Sequence, residues 1–579
     1  MSAPADRLAT DRPELVGGLD DAADDAVERV EHAGPGEHAE LVAHAGPGDL
    51  PAPSEEPEPD AAGGPLRTAW LRAVGLPLLV MLPLIGAVPL SDSRYNAYRF
   101  GGAYAQRPWE LVTDPITSIP RYLDYGNFRP LGRLLERGLD ALAYAVSSVL
   151  TTPLPTPMRL THLAAVAVFV VVLIVLVETV TSPTPLRVGR PSGATVLVPL
   201  AFATTLVASG RTSSVIVFTD LYALSTALVL GITAAAARHR LLMGSEVSRR
   251  QLLGAVLVGA ALPIVNEVAY LTVPLAWAAV VLRGRLTLGR SWSELRHSAA
   301  ARLLLAGSIA FTVVFVPLRV MLAIRCADGS CYDGSDVSLG WDLFPTLGHR
   351  LVSWVPPVGW FPATRDAPSG WYLPSDPLTG VLLVAIVAFA VLLLRDLPRL
   401  RQLTGRQALA LAVSGAGVLI LVATMVALSA DVQGQVMDGW AIGSGWRDTL
   451  MVGAGAAVLV AAVVLCPPVA RRPVLRRVAL GLLVLLAVGT TLANQGQARE
   501  LAGRPDAALH TEIAVAVSNF VDDEVADARR CELFGRFVDS IPDQAHNHRR
   551  LHEALNAATQ ARHGQDFCST GIPEPTVEE

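Results

Sequence analysis

Glu267 sits inside an apolar run, Leu252 to Leu282, directly after Asn266, and an ionisable side chain at membrane depth is expensive and usually functional. Proton or substrate handling is the chemistry open to it, or a buried pair with Arg211 or Arg319. A second concentration of reactive residue types is the polar stretch from Ser91 to Pro157, which carries Asp92, Asp124, Arg129, Arg133, Arg137 and several aromatics. This stretch is far longer than a connector needs. Within it Pro130 suits the first position of a helix. Leu131, Leu134, Leu135, Leu139, Leu142 and Val146 then recur at helical spacing, with Arg133, Glu136, Arg137 and Asp140 on the other face, predicting an amphipathic helix at a membrane interface.

The elements that must position these residues are apolar helices. A hydrocarbon core about 30 Å thick needs roughly 20 apolar residues per helix, and eleven stretches meet or approach that need, at about 70–90, 159–180, 193–209, 215–237, 251–265, 267–282, 303–322, 378–394, 407–429, 449–468 and 475–493. Arginine-rich short loops stay cytoplasmic. Arg187 to Arg190, Arg238 to Arg250, Arg283 to Arg302, Arg395 to Arg406 and Arg471 to Arg477 all fit one alternating scheme, with the N-terminus inside and the C-terminus outside. The Leu252 to Leu282 run is too long for one span and too short for two full ones; a hairpin of two short helices keeps the later arginine loops inside. Its polar turn must then be buried in protein or face a water-filled cavity.

The five cysteines agree with this scheme, because disulfides persist in oxidising compartments. Cys326 and Cys331 fall in a predicted outer loop and Cys531 and Cys568 in the outer tail, while Cys466 lies alone at a cytoplasmic edge. Bridges Cys326–Cys331 and Cys531–Cys568 are the pairing consistent with it, although spacing alone does not fix connectivity.

Composition points the same way: of 579 residues 51% are hydrophobic and 17% charged, against about 25% charged in ordinary soluble proteins. All 46 basic residues are arginine, a bias we read as that of a GC-rich bacterial genome. Residues 1–65 are acidic and rich in Pro, Gly and Ala, predicting a disordered cytoplasmic tail without a removable signal peptide. Residues 66–493 form the transmembrane domain, with outer loops at 91–157 and 323–377, and 494–579 a small extracytoplasmic helical tail. The expected fold is thus an all-α polytopic protein of about eleven transmembrane helices in the plasma membrane. The second outer loop carries Trp354, Trp360, Phe361, Trp371 and Tyr372, which suit the headgroup region. With no basic arm and no Gly-rich phosphate loop, neither nucleic acid nor a cytoplasmic nucleotide-sugar donor is supported.

The segments DYGNFRPLGRLLE, LTHLAAVAVFVVVLIVLVE, LVASGRTSSVIVFTDLYALSTALVL and NEVAYLTVPL resemble, in order and spacing, the front half of GT-C superfamily glycosyltransferases. The resemblance is closest to the protein O-mannosyltransferase-like group, and it covers about residues 92–283. It implies a helical membrane domain whose first outer loop forms the catalytic face, and a sugar donor carried on a polyprenyl phosphate. Such transfer needs a carboxylate to take the acceptor's proton and a cation, metal or arginine, to stabilise the departing phosphate. Asp92 matches the position of the family's first-loop acid, with Asp124 as a second acid or part of a metal site and Glu267 as the hairpin acid. Arg129 would hold phosphate bidentately, with Arg447 in GWRDTL and Arg211 as further phosphate ligands. The expected partners are the bilayer, the lipid-linked donor and an envelope glycan, lipid or protein as acceptor; whether a divalent metal takes part stays open.

The chain also departs from the family pattern. Asp92 is followed by Ser93 where many relatives have a second acid, and Asn266 replaces the lysine of the KE pair. Two other readings therefore stay beside the transferase: a transporter or lipid flippase using Glu267, and a non-catalytic membrane protein of the same architecture.

Overall fold

Proline and capping residues set where the helices begin. Pro130, Pro155 and Pro473 each occupy a first helical position, where the missing N–H costs nothing. At the arginine-rich end, Ser248 with Gln251, Ser291 with Glu294 and Thr404 with Gln407 form reciprocal capping boxes, satisfying amides where the chain re-enters the helical bundle. The computed structural model describes residues 63–186, 190–210, 212–327, 331, 336–364, 377–540 and 544–569. The expected disordered tail lies almost wholly outside them, as do Arg211, Trp371 and Tyr372.

The described residues form helices and loops, with two isolated β-bridges. Among the described residues, seven helices are long and apolar enough to cross a membrane: Pro155–Thr181, Thr219–Met243, Glu267–Thr287, Ala299–Arg325, Pro377–Arg399, Gly405–Ala427 and Pro473–Ala502. The other predicted spans fall on shorter helices, Trp70–Gly86, Ala194–Thr205, Thr449–Leu465 and Arg249–Ala261. At 1.5 Å per residue the twelve residues of Ala194–Thr205 reach only about 18 Å, so length alone does not make each of these a span. Leu305, Ile309, Val313, Val316, Val320 and Ile324 form an exposed stripe along Ala299–Arg325. Exposed apolar surface on this scale marks contact with lipid or protein.

Polar side chains inside the bundle close off helix ends. Arg159, 4% exposed, donates from Nε to the Ala87 carbonyl at 3.0 Å, from Nη2 to Val88 and from Nη1 to Ile216, both at 2.8 Å. Arg283 does the same at the opposite end, reaching the carbonyls of Ala237 at 2.7 Å and Ser182 at 3.0 Å. Asn494 accepts from the Ala208 amide and donates to the carbonyls of Val80 and Leu206. Without these donors, carbonyls left by broken helices would stand unpaired in a nonaqueous interior.

The long apolar run breaks as its sequence predicts. Arg249–Ala261 ends in a tight turn at Leu262–Ile264, and a second one, Glu267–Leu271, leads into Thr272–Leu282. Asn266, nearly fully buried, accepts from the Ala269 amide at 3.2 Å and donates to Ser225 Oγ at 2.7 Å. It therefore builds the turn.

The loop after the first apolar helix and the C-terminal tail share one core. Ser93–Gln106 and Pro130–Leu150 pack on the tail helices Pro505–Ser518, Glu524–Asp539 and Gln544–His563 around Tyr98, Tyr144, Phe534, Phe537 and Leu555. A Cβ on Gly102 would stand 2.4 Å from the Ala557 backbone, so only glycine permits this close approach. Tyr144 donates to the Ala558 carbonyl at 2.7 Å, and Arg562 reaches Ser147 at 2.6 Å. Pro473–Ala502 also continues past the predicted limit at 493, carrying its helix directly towards the tail helices.

The amphipathic helix is present as Pro130–Leu150, and it buries its polar side. Arg137, Tyr144 and Ser147 are buried, whereas Leu142, Val149 and Leu150 are exposed. The neighbouring helix Glu110–Thr117 likewise exposes Val112 and Ile116 beside Trp109. This is the polarity expected of helices lying on lipid. Both expected disulfides are formed, Cys326–Cys331 and Cys531–Cys568, and Cys466 is free.

Candidate functional site

Glu267, Arg129 and Arg447 come together. They line one cavity of ≈ 90 Å³ with Asn127, Tyr222, Ser429, Trp446 and Asp448. Every contributor lies at a helix end or in a loop on the side away from the arginine clusters: Arg129 caps Pro130–Leu150, Glu267 opens its turn, and Trp446 to Asp448 precede Thr449–Leu465.

Close backbone contact holds Arg129 beside the hairpin. A Cβ at Gly132 would stand 2.0 Å from the Val265 carbonyl oxygen, so glycine lets the loop helix seat directly on the turn that presents Glu267. Arg129 Nη1 stands 4.0 Å from Glu267 Oε2, with the arginine largely buried and the glutamate half exposed. Contact at that distance is at the outer limit of an ion pair, and Arg129 Nε is buried with no hydrogen-bond partner among the described residues. The guanidinium thus has hydrogen-bonding capacity beyond its contact with the acid.

Arg447 is placed by a rigid segment. Gly445 donates to the Ser209 carbonyl and accepts from Thr212 Oγ1, both at 2.7 Å, and Ser214 donates to the Trp446 carbonyl at 3.0 Å. Beneath it Arg350 grips Asp448 with two hydrogen bonds, Nε to Oδ2 at 3.2 Å and Nη2 to Oδ1 at 2.5 Å, both side chains fully buried. Arg350 Nη1 also donates to the Ser444 carbonyl at 2.9 Å. The Arg447 guanidinium carbon lies 5.2 Å from the Trp446 ring centre.

The remaining acids lie elsewhere. Asp92 accepts from Tyr95 and from Arg550 of the tail, the latter at 3.2 Å, and it joins loop to tail. Asp124 is exposed and paired with Arg325, next to the Cys326–Cys331 bridge. Neither lines the cavity that holds Glu267, so a site uniting all three acids is not what the fold builds. Among the described residues, no group of three or more His, Cys, Asp or Glu is placed to hold a metal ion. Arg211 lies outside the described residues.

Residues that sequence reasoning missed are Tyr222, Trp446, Asp448 and Arg350. Asp448 stands beside Arg447 in the same GWRDTL motif, and an acid in that position was the available signal.

A second polar feature is Asp140, whose Oδ2 is buried with no hydrogen-bond partner among the described residues. Burial, then repulsion by Glu136 and Asp220, holds its carboxyl well above the usual carboxylate range. The folded state keeps a proton that the unfolded chain gives up above about 3.8, so this group's contribution to stability falls as pH rises from there towards the folded-state value. Asp140→Asn is therefore expected to raise the melting temperature at neutral pH and to flatten its decline with pH. Melting curves across that range would check it, and a lower melting temperature for the variant at every pH would contradict it.

Searches of protein-family models, of curated proteins and of solved structures each returned no match to this chain. The geometry by itself defines the class: an all-α chain with membrane-length apolar helices and an arginine-lined cavity where several of them end.

Proposed function

We propose that the protein is an integral membrane glycosyltransferase of GT-C type, with about eleven membrane passages, that moves a sugar from a polyprenyl-phosphate donor onto a cell-envelope glycan, lipid or protein at the outer face. One observation carries this reading: Arg129, Arg447 and Glu267, far apart in sequence, line a single cavity. Two guanidiniums suit the oxygens of a departing phosphate, and a half-exposed carboxylate beside them suits the proton of an incoming hydroxyl. In this reading the acceptor oxygen attacks the anomeric carbon, Glu267 takes its proton, and the sugar–phosphate bond breaks towards the arginines. The acid role thus rests on Glu267, while Asp92 and Asp124 are assigned to holding the loop.

The arginine loops support a cytoplasmic N-terminus and an outer C-terminus, as do two disulfides on the side opposite those loops. The test is to incubate purified protein with a panel of polyprenyl-phosphate sugars and an envelope extract, following release of the lipid phosphate. Release with at least one donor, lost in Glu267→Gln and retained in Asp92→Asn, is the expected result. Retention in Glu267→Gln with loss in Asp92→Asn would move the chemistry away from this cavity. No release with any donor would count against the transferase reading itself.

A further inference from the structure

A second, roomier hollow among the described residues lies at the other ends of the helices. It measures ≈ 980 Å³ and is walled by Thr219–Met243, Arg249–Ala261, Thr272–Leu282 and Ala299–Arg325. Ligand cavities run from about 300 to 1,000 Å³, so this one is at the upper end of that range. It shares no residue with the cavity that holds Glu267.

Its cause is visible in the packing. The Arg249–Ala261 helix touches Ala299–Arg325 backbone to backbone, since a Cβ on Gly259 would stand 2.2 Å from the Gly307 carbonyl oxygen. Tyr270, Phe311 and Phe315 pack ring on ring at the hairpin turn. Only Gly259 of the thirteen residues in Arg249–Ala261 is buried, so this helix and its partner stand away from the bundle at the arginine-rich end. The walls are apolar, with Ala255, Val258 and Ala276 facing the space. Val258 is 42% exposed there, and a side chain at Gly254 would meet nothing within 4 Å.

Two features give the hollow polarity. Arg238 and Arg240 stand on its rim against one acid, Glu246, and Arg302 donates to the Ser245 carbonyl in the same loop at 3.2 Å. Thr272 lines the wall at 2% exposure, with its Oγ1 lacking any hydrogen-bond partner. An apolar hollow with a net positive rim, opening between helices of membrane length, has the chemistry of an acyl-chain slot with a phosphate seat.

We propose that this hollow binds one anionic phospholipid, its acyl chains between the Arg249–Ala261 helix and the bundle and its phosphate at Arg238 and Arg240. The assignment stands apart from the transferase reading and needs only that the helices lie in a bilayer. Purified full-length protein in mild detergent is titrated with dioleoyl phosphatidylglycerol or dioleoyl phosphatidylcholine, and bound lipid is counted by native mass spectrometry. The native chain is expected to retain one phosphatidylglycerol at about tenfold lower concentration than phosphatidylcholine. Arg238→Ala with Arg240→Ala removes that preference, and Gly254→Leu, which fills the hollow, lowers retention of both lipids. Should Gly254→Leu fail to fold, Val258→Trp fills the same space. Equal retention of the two lipids by the native chain, or undiminished phosphatidylglycerol in a folded filled variant, overturns the proposal.

Discussion

Arg129→Ala is expected to lower the rate of lipid-phosphate release by about 10²–10³-fold, the loss typical of removing one preorganised donor from a developing negative charge. Three features of the site set that expectation. The side chain is largely buried, it faces Glu267 at 4.0 Å, and its loop helix is seated on the hairpin through Gly132. Arg129→Lys should recover little of the rate, because an ammonium cannot present two parallel donors to a phosphate. The cavity is formed by several elements, so the alanine variant should keep its helical content. Single-turnover rates on a donor that the native protein accepts, with circular dichroism alongside, would check both halves. An unchanged rate would remove Arg129 from phosphate binding and leave it as a strut for the loop.

Asp448→Ala is expected to cost about 3–5 kcal/mol of stability, since it leaves the Arg350 charge buried without its partner. Both side chains have no exposed surface, and among the described residues the Ser444 carbonyl is the other hydrogen-bond acceptor of Arg350. Arg350→Met with Asp448→Leu, which removes both charges together, should be much milder than either single change. Thermal unfolding in a fixed detergent would measure the series. The pair lies under the segment that presents Arg447, so the double variant also asks whether activity depends on charge there or only on the placement of Trp446 and Arg447. If the single and double variants melt alike, the pair adds little to the fold.

Local features were the legible ones. A proline at a helix start, an Asn-Glu step in an apolar run, arginines grouped in short loops and cysteines on one side each act within a few residues, and the fold follows them. What stayed hidden depends on distant partners. Asp92 reads as a free acid after a helix because Arg550, 458 positions later, is the group that occupies it. Asp448 and Arg350 are 98 positions apart, and no periodicity links them. The docking of the tail on the first loop is equally nonlocal, resting on a bare backbone at Gly102. The amphipathic helix is legible in its pattern, while the direction of its two faces is set by partners elsewhere in the chain, Asn96 and Asp114 at Glu136 and Arg137 and the tail at Tyr144 and Ser147.

That orientation has a mechanical consequence. With Trp109, Val112, Ile116, Leu142 and Val149 exposed on two neighbouring helices, the assembly of loop and tail carries a keel. Such a body in a bilayer drifts with the leaflet yet resists tipping off it, because lifting the keel would wet every one of those side chains. In the proposed reaction, the lipid-linked donor would then reach Arg129 sideways, from within the plane of the lipids.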